Sequence, residues 1–280
     1  MLKNSFIQLR GIGEKKEKSI WKAGILDWDN YILYNKIFCN NYRKIGQFSD
    51  IEKCIDNLKK RNAKYFYNIL PSSESWRLYK EFQNNSLYVD IETNGGDFYS
   101  GYITTIATYD GKDIRYYING RNLDDFIDDI SDYKILITYN GKLFDIPYIE
   151  NYFNIKLDHG QIDLRYTLNS LGYKGGLKSC EKQLGLNRNG LDHVDGFFAI
   201  HLWNDFYYNA NQKALETLLA YNIEDCINLE KLMQTAFNMK VDKLGFKSFK
   251  KVSYLKSAKN PFKADYETIF RIKTKIKSIY

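Results

Sequence analysis

Leu87-Tyr-Val-Asp90-Ile-Glu92-Thr-Asn-Gly95-Gly96 sets two carboxylates two residues apart in a run of β-formers that a double glycine then breaks. Alternation along a strand sends both acidic side chains out of one face. Acids are disfavoured among Leu87, Val89 and Ile91, and two like charges on one face repel unless something neutralises them. A bound cation removes both objections. Asp-x-Glu alone is common by chance, but in an apolar strand ending at Asn-Gly-Gly it gains specificity.

Outward from this strand the pattern is that of a mixed sheet. Residues 102–109 and 114–118 read as two further strands joined by a tight Asp110-Gly111 turn. A helix is expected over 122–130, a fourth strand over 134–139, and one more short strand near Gln161-Ile-Asp163. A long amphipathic helix is expected over 211–237. A three-strand meander followed by alternating strands and helices predicts an α/β fold with a mixed sheet. The first 80 residues read as helical: a turn at Gly11-Ile-Gly13, a helix over 14–23 stopped by Gly24, and a second helix opening at Asp27-Trp-Asp-Asn30. A third is expected from Ser49, whose spacing to Glu52 is a capping box. The segment after 238 mixes lysines with apolar residues and selects neither helix nor strand.

Two more acidic motifs follow the first. Asp145 closes Asn140-Gly-Lys-Leu-Phe-Asp after the fourth strand; taken alone, an Asp before Ile146-Pro147 reads as a helix N-cap. Tyr221 and Asp225, four apart in the long helix, share one helix face. Asp225 lies among Leu218, Leu219, Ile223, Ile227, Leu229 and Leu232, a costly place for an unpaired carboxylate. Glu224 reads as ordinary solvent-facing charge. Four carboxylates converging from strand ends and a helix face suit hard divalent cations, the ions that phosphodiester hydrolysis uses.

In this order the three motifs resemble the Exo I, Exo II and Exo III motifs of the DEDD 3′–5′ exonucleases, in the ribonuclease H-like superfamily. The Tyr-x-x-x-Asp spacing is similar to the tyrosine subclass (DEDDy). Leu70-Pro-Ser72 and Trp76-Arg-Leu-Tyr79 before the first motif resemble the YprB-like branch, as do Leu177-Lys-Ser179, Leu184-Gly185 and Asp195-Gly196. That branch often carries His where Tyr221 stands. The resemblance spans roughly residues 60–236. It implies a ribonuclease H-like mixed five-stranded sheet flanked by helices, with a small N-terminal helical region. It further implies two Mg²⁺ or Mn²⁺ ions, one held by Asp90, Glu92 and Asp225 and the second bridged by Asp90 with help from Asp145. Tyr221 would orient the attacking water. Thr93, Asn140 and Lys178 would contact the nucleic acid, with DNA favoured over RNA.

Gly11-Ile-Gly13 resembles the hairpin of a helix-hairpin-helix DNA-binding element. Its glycines would let backbone N–H groups approach a phosphate, with Lys15 and Lys16 in support. The expected organisation is a nucleic-acid-binding helical region over 1–80, an exonuclease domain over 81–239 and a basic extension over 240–280. Charge follows the same division: net +8, −10 and +9 in the three segments, within a total of +7. An acidic centre with basic flanks suits an enzyme that gathers cations and grips a polyanion at its edges. The same flanks would also suit a catalytically inactive nucleic-acid adaptor, and the fold equally serves structure-specific endonucleases and RNA-processing nucleases.

Other classes are excluded by composition. A 44% hydrophobic content supports a core and argues against disorder. Four cysteines without a C-x-x-C pair, beside three histidines, argue against zinc and against a disulfide framework. His159, His193 and His201 are expected to be structural. With no signal-peptide pattern and no membrane-length apolar run, a cytoplasmic location is expected.

Overall fold

The computed structural model describes residues 1–38, 45–97, 100–188, 190–246, 249–254 and 256–278. Cys39 lies outside them. Helices α1 (Glu14–Lys22), α2 (Trp28–Phe38), α3 (Ile45–Lys59) and α4 (Ala63–Ile69) come first, then a 3-10 segment (Ser72–Leu78) and one turn, α5 (Tyr79–Phe82). Strands β1 (Ser86–Thr93), β2 (Ile103–Tyr109) and β3 (Ile114–Ile118) lead to α6 (Asp125–Ile130), β4 (Ile135–Thr138) and α7 (Asp145–Tyr152). Strand β5 (Gly160–Asp163) is followed by α8 (Leu164–Leu171), α9 (Leu177–Gln183), α10 (Gly196–Asn209), α11 (Gln212–Leu244) and α12 (Tyr266–Lys277).

The sheet has five strands in the order β3-β2-β1-β4-β5. β1 pairs antiparallel with β2 and parallel with β4, and β4 pairs parallel with β5. The β2–β3 hairpin forms because the Asp110 carboxylate accepts from the N–H groups of Lys112 and Asp113, both at 2.8 Å, while Gly111 takes φ +94°. This is the ribonuclease H-like mixed sheet expected from the sequence, with helices on both faces.

Alternation along β1 assigns its two faces to different helices. Leu87, Val89 and Ile91 join Phe126 of α6 and Ile146 and Ile149 of α7 in one buried cluster. Tyr88, on the other face, joins Leu215, Leu218 and Leu219 of α11. Asp90 and Glu92 share the parity of Tyr88 and therefore face α11. Helix α11 is 33 residues, about 50 Å long by its rise. It starts where the Asn211 side chain accepts from Lys213 N–H and ends at Gly245 with φ +68°.

Three local expectations need correction. α3 already runs from Ile45, so Ser49 sits inside it rather than at its cap; the capping box lost to a helix that continues upstream of it. The α6 helix begins at Asp125, with Asn122 instead fixing a turn by accepting from Ile118 N–H at 2.9 Å. Glu224 is 2% exposed rather than solvent-facing, because the C-terminal segment covers it and Asn260 donates to its carboxylate at 3.4 Å.

A buried ionic cluster ties three elements together. The Arg77 guanidinium, fully buried, reaches Glu17 of α1 at 2.8 Å and Glu74 at 2.7 Å, and donates to Ser5 Oγ at 2.7 Å. Lys240, near the end of α11, meets the other Glu74 oxygen at 3.3 Å. Glu17 also accepts from the backbone N–H groups of Phe6 and Ile7 at 2.7 and 3.1 Å. Burial alone would lower the Arg77 pKa; Glu17 and Glu74 more than reverse this and raise it.

Candidate metal centre

The site is built at the carboxyl end of β1, where that strand meets the middle of α11. Asp90, Glu92 and Asp225 each offer a carboxylate oxygen, and these oxygens lie within 4.8 Å of one another. The strand delivers the first two by its alternation. The helix delivers Asp225 because Leu218, Leu219 and Leu229 on its neighbouring positions are drawn into the core. Asp90 is further fixed by Asn222, whose amide donates to its carboxylate at 2.7 Å and its backbone carbonyl at 3.1 Å. Thr105 of β2 donates to the Asn222 oxygen at 3.0 Å, which fixes the amide's orientation.

Asp145 is the first residue of α7, and its carboxylate does not cap that helix. It reaches across to accept from the Ile91 N–H of β1 at 3.3 Å, which brings it beside the other acids. The tight Asn140–Gly141 turn makes this possible: Asn140 takes φ +67°, and Asp163 at the end of β5 accepts from Asn140 and Lys142 N–H at 2.8 and 3.1 Å. A Cβ on Gly141 would lie 2.2 Å from Thr138 Oγ1, on a buried strand residue with little room to retreat. Gly141→Ala is therefore expected to cost about 1–3 kcal/mol by overpacking. It should also shift Asp145 enough to weaken Mn²⁺ binding, both measurable by denaturant unfolding and calorimetric titration. Wild-type values in both would remove this turn from the site's support.

Tyr221 lies one helical turn before Asp225 and is 6% exposed. Burial and then the charges of Asp225, Glu92 and Asp90 hold its phenol far above the usual tyrosine range, so it is a neutral hydroxyl at physiological pH. Lys178 of α9 sits 5.2 Å from the centre of its ring and donates to the Val194 carbonyl. Thr93 ends β1 at a register shift after Glu92, and its hydroxyl accepts from Gly95 N–H at 3.3 Å.

One cation in this site was not foreseen. Arg188 is 3% exposed; its guanidinium bridges Asp225 and Glu181 of α9 and lies 5.4 Å from the centre of the Tyr221 ring. Glu181 in turn accepts from Asn228, on the next turn of α11, at 2.9 Å. Asn222 was at least visible inside the third motif. Nothing in Leu186-Asn-Arg-Asn189 signals that its arginine reaches the metal centre. Gly11, Gly13, Lys15 and Lys16 lie elsewhere: no described hydrogen bond or ion pair joins them to the acids, and Lys16 donates to the Gly11 carbonyl at 2.8 Å.

The electrostatics call for a cation. Burial and then the neighbouring carboxylates push Asp90 and Glu92 well above the usual carboxylate range. Burial raises Asp145 to about 7 despite hydrogen bonds that lower it, with Asp163 and Asp225 adding to the rise. Burial likewise raises Asp225 to about 6 although Arg188 opposes it. An all-oxygen set of crowded carboxylates fits a hard divalent cation.

These raised values fix a pH dependence. A carboxylate whose folded pKa exceeds its unfolded value contributes stability below the unfolded value, and that contribution is lost as pH rises through the folded one. In EDTA the melting temperature is thus expected to fall between about pH 4 and pH 7, the window bounded by the ordinary carboxylate pKa and the raised values of Asp225 and Asp145. Mn²⁺ should restore more of it at pH 8 than at pH 5. A melting temperature in EDTA that is flat across this range would show that burial and crowding do not raise these acids.

Among the described residues no helix is long and apolar enough to cross a membrane. No curated protein sequence matches the chain. The family B DNA polymerase from the hyperthermophilic archaeon Pyrobaculum calidifontis is similar in structure at a TM-score of 0.40 and 17% identity, over 57% of this chain and 27% of the polymerase. The chain thus matches well under a third of that polymerase. The model of the RNase H superfamily matches residues 87–237, from the first residue after the start of β1 to the last third of α11. With more than half of its length inside that match, and every acid of the centre within it, the chain belongs to the RNase H superfamily.

Proposed function

We propose that the protein is a divalent-metal-dependent nuclease that hydrolyses phosphodiester bonds of nucleic acid, DNA in preference to RNA, from the 3′ end. The observation that carries this reading is the meeting of Asp90, Glu92 and Asp225 oxygens within 4.8 Å, with Asp145 beside them. These four residues would hold two Mg²⁺ or Mn²⁺ ions. Such ions, when bound, activate water and neutralise the charge that builds on the leaving 3′ oxygen.

The chain's own groups then have distinct tasks. Asn222 aims Asp90, and Arg188 aims Asp225 while leaving it part of its negative charge. Tyr221, a neutral phenol, orients the attacking water by hydrogen bonding and does not remove its proton as a phenolate. Lys178, Thr93 and Asn140 would contact the sugar-phosphate backbone. In this reading residues 81–239 form the exonuclease domain, and Gly11, Gly13, Lys15 and Lys16 add sequence-independent phosphate contacts from a nucleic-acid-binding region over residues 1–80. The basic residues from 240 onward would contribute to the same hold.

A second reading draws on Arg188. An arginine already paired with Asp225 resembles a resident substitute for a metal, as in a nucleic-acid adaptor that performs no chemistry. A gel time course separates the two readings. It would use 5′-labelled single- and double-stranded DNA and RNA with Mn²⁺, Mg²⁺ or EDTA. A metal-dependent ladder shortening from the 3′ end is expected. Discrete internal products would make the enzyme an endonuclease, and intact substrate that stays tightly bound would favour the adaptor.

A further inference from the structure

A cavity of about 420 Å³ lies between α11 and the segment that crosses it on the way to α12. Its size falls within the ~300–1,000 Å³ usual for ligand sites. The crossing segment has no helix or strand of its own, but it is tied down at several points. Ser257 donates to Glu230 at 3.1 Å, Ala258 N–H to the Tyr109 hydroxyl at 3.1 Å, and Asn260 to the Ala220 carbonyl at 2.7 Å. Phe262 meets Tyr116 of β3 edge-on at 5.1 Å. These ties hold the cavity in the fold.

Its walls are of two kinds. Leu191, Ile227 and Phe262 are apolar, whereas Lys231, Lys259 and Lys263 set three cations against one carboxylate, Glu224. Among the described residues Lys259 and Lys263 take part in no ion pair. The neighbouring Asp265 is already met by Lys213 at 3.3 Å. Lysines that outnumber the acids suit a phosphate dianion, and an apolar wall beside them suits the body that carries it.

One of these lysines also ends a hydrogen-bonded relay that reaches the metal centre. Lys231 donates to the Asn228 side-chain oxygen at 2.9 Å, and the Asn228 amide donates to Glu181 at 2.9 Å. The other Glu181 oxygen accepts from Arg188, which also holds Asp225. Asn228, Glu181 and Arg188 are all buried, so the relay runs through the interior. At 3.6 residues per turn, Asn228 falls between the α11 face carrying Glu224 and Lys231 and the face carrying Tyr221 and Asp225.

We propose that the cavity binds a nucleoside monophosphate, whose phosphate draws Lys231 from Asn228 and thereby strengthens metal binding at Asp225. An Asn228 that has lost its donor polarises less and donates more weakly to Glu181. Glu181 then keeps more of its charge for Arg188, and Arg188 pulls less on Asp225. The added negative charge acts in the same direction. Binding to the cavity stands on its lining alone; the effect at Asp225 rests on the metal-centre reading above. The coupling is reciprocal, so each ligand favours the other equally.

Calorimetric titration of the full chain with dAMP in EDTA isolates the cavity, because the metal-free centre is itself acidic and repels anions. Saturable binding is expected, about tenfold or more tighter than for inorganic phosphate or deoxyadenosine, each of which uses one kind of wall. Lys259→Glu/Lys263→Glu should weaken dAMP by about tenfold or more. The same charge change in Lys59→Glu/Lys60→Glu should leave it unaltered, since α3 packs through α4 onto β5 at the far edge of the sheet. Melting curves would verify folding. Free Mn²⁺, read by electron paramagnetic resonance, then reports the coupling. Saturating dAMP should tighten Mn²⁺ about fivefold in the wild type. It should do so neither in Lys231→Met nor in Lys259→Glu/Lys263→Glu, which serve as blanks for dAMP that follows the metal into the centre. No dAMP binding in EDTA, undiminished binding in Lys259→Glu/Lys263→Glu, or an equal loss in Lys59→Glu/Lys60→Glu would overturn the cavity. Mn²⁺ affinity indifferent to dAMP, or tightened equally in Lys231→Met, would overturn the relay. Both results as expected, in a protein that cuts no nucleic acid, would uphold the inference and defeat the nuclease reading.

Discussion

Asp90→Asn and Asp225→Asn are both expected to lower metal-dependent cleavage by at least about 10³-fold, yet to move the stability of the metal-free protein in opposite directions. The common loss follows from removing a ligand: metal stabilisation of transition-state charge is worth several kcal/mol, and each 1.4 kcal/mol is tenfold. The divergence follows from the partners. Asp90 is surrounded by Glu92, Asp145 and Asp225 and is hydrogen-bonded by an amide, Asn222, that can serve an asparagine as well. Removing its charge relieves repulsion, and the melting temperature in EDTA at pH 8 should rise. Asp225 instead shares the buried Arg188 with Glu181. Its neutral analogue leaves that guanidinium short of a carboxylate, and stability should fall. Differential scanning calorimetry of the two variants in EDTA checks both signs; a rise for both would mean that Arg188 gains nothing from Asp225.

The largest stability effect is expected from Arg77→Met. Breaking a buried ion pair by removing one partner costs about 3–5 kcal/mol, because the charges left behind stay buried and uncompensated. Here two carboxylates are left, Glu17 and Glu74, and among the described residues Lys240, at Glu74, is the one cation still paired with either. Glu17→Gln should cost distinctly less, since its amide oxygen can still accept from Phe6 and Ile7. Urea unfolding with a common slope would measure both, and limited proteolysis would show whether α1 loosens first. A change under 1 kcal/mol for Arg77→Met would mean that water reaches the cluster.

The sheet and the acids were legible in the sequence because both depend on short-range rules. Period-two alternation set Asp90 and Glu92 on one face, period-four spacing aligned Tyr221 with Asp225, and the Asp110-Gly111 turn fixed a hairpin. Asp145 was ambiguous for a physical reason. The residue types that cap helices also bind metals, and only the Ile91 N–H from another strand separates the two uses. Arg188 and Glu181 were illegible because their meaning is purely tertiary: neither lies in a periodic motif, and each is defined by what it meets 37 or 47 positions away on α11. Glu224 was misread for the same reason, since its cover comes from a segment whose own structure the sequence left open.

The ring of Trp21 stacks on Phe246 at 4.6 Å and meets Phe249 edge-on at 5.8 Å, so the first helix is completed by residues more than two hundred positions later. A ribosome adding about 5–20 residues per second needs on the order of ten seconds or more to supply them. Throughout that interval Trp21 lacks its aromatic partners and Glu74 lacks Lys240. The nascent α1 segment thus carries apolar surface that stays uncovered until residue 249 has emerged, and its docking can only follow that point.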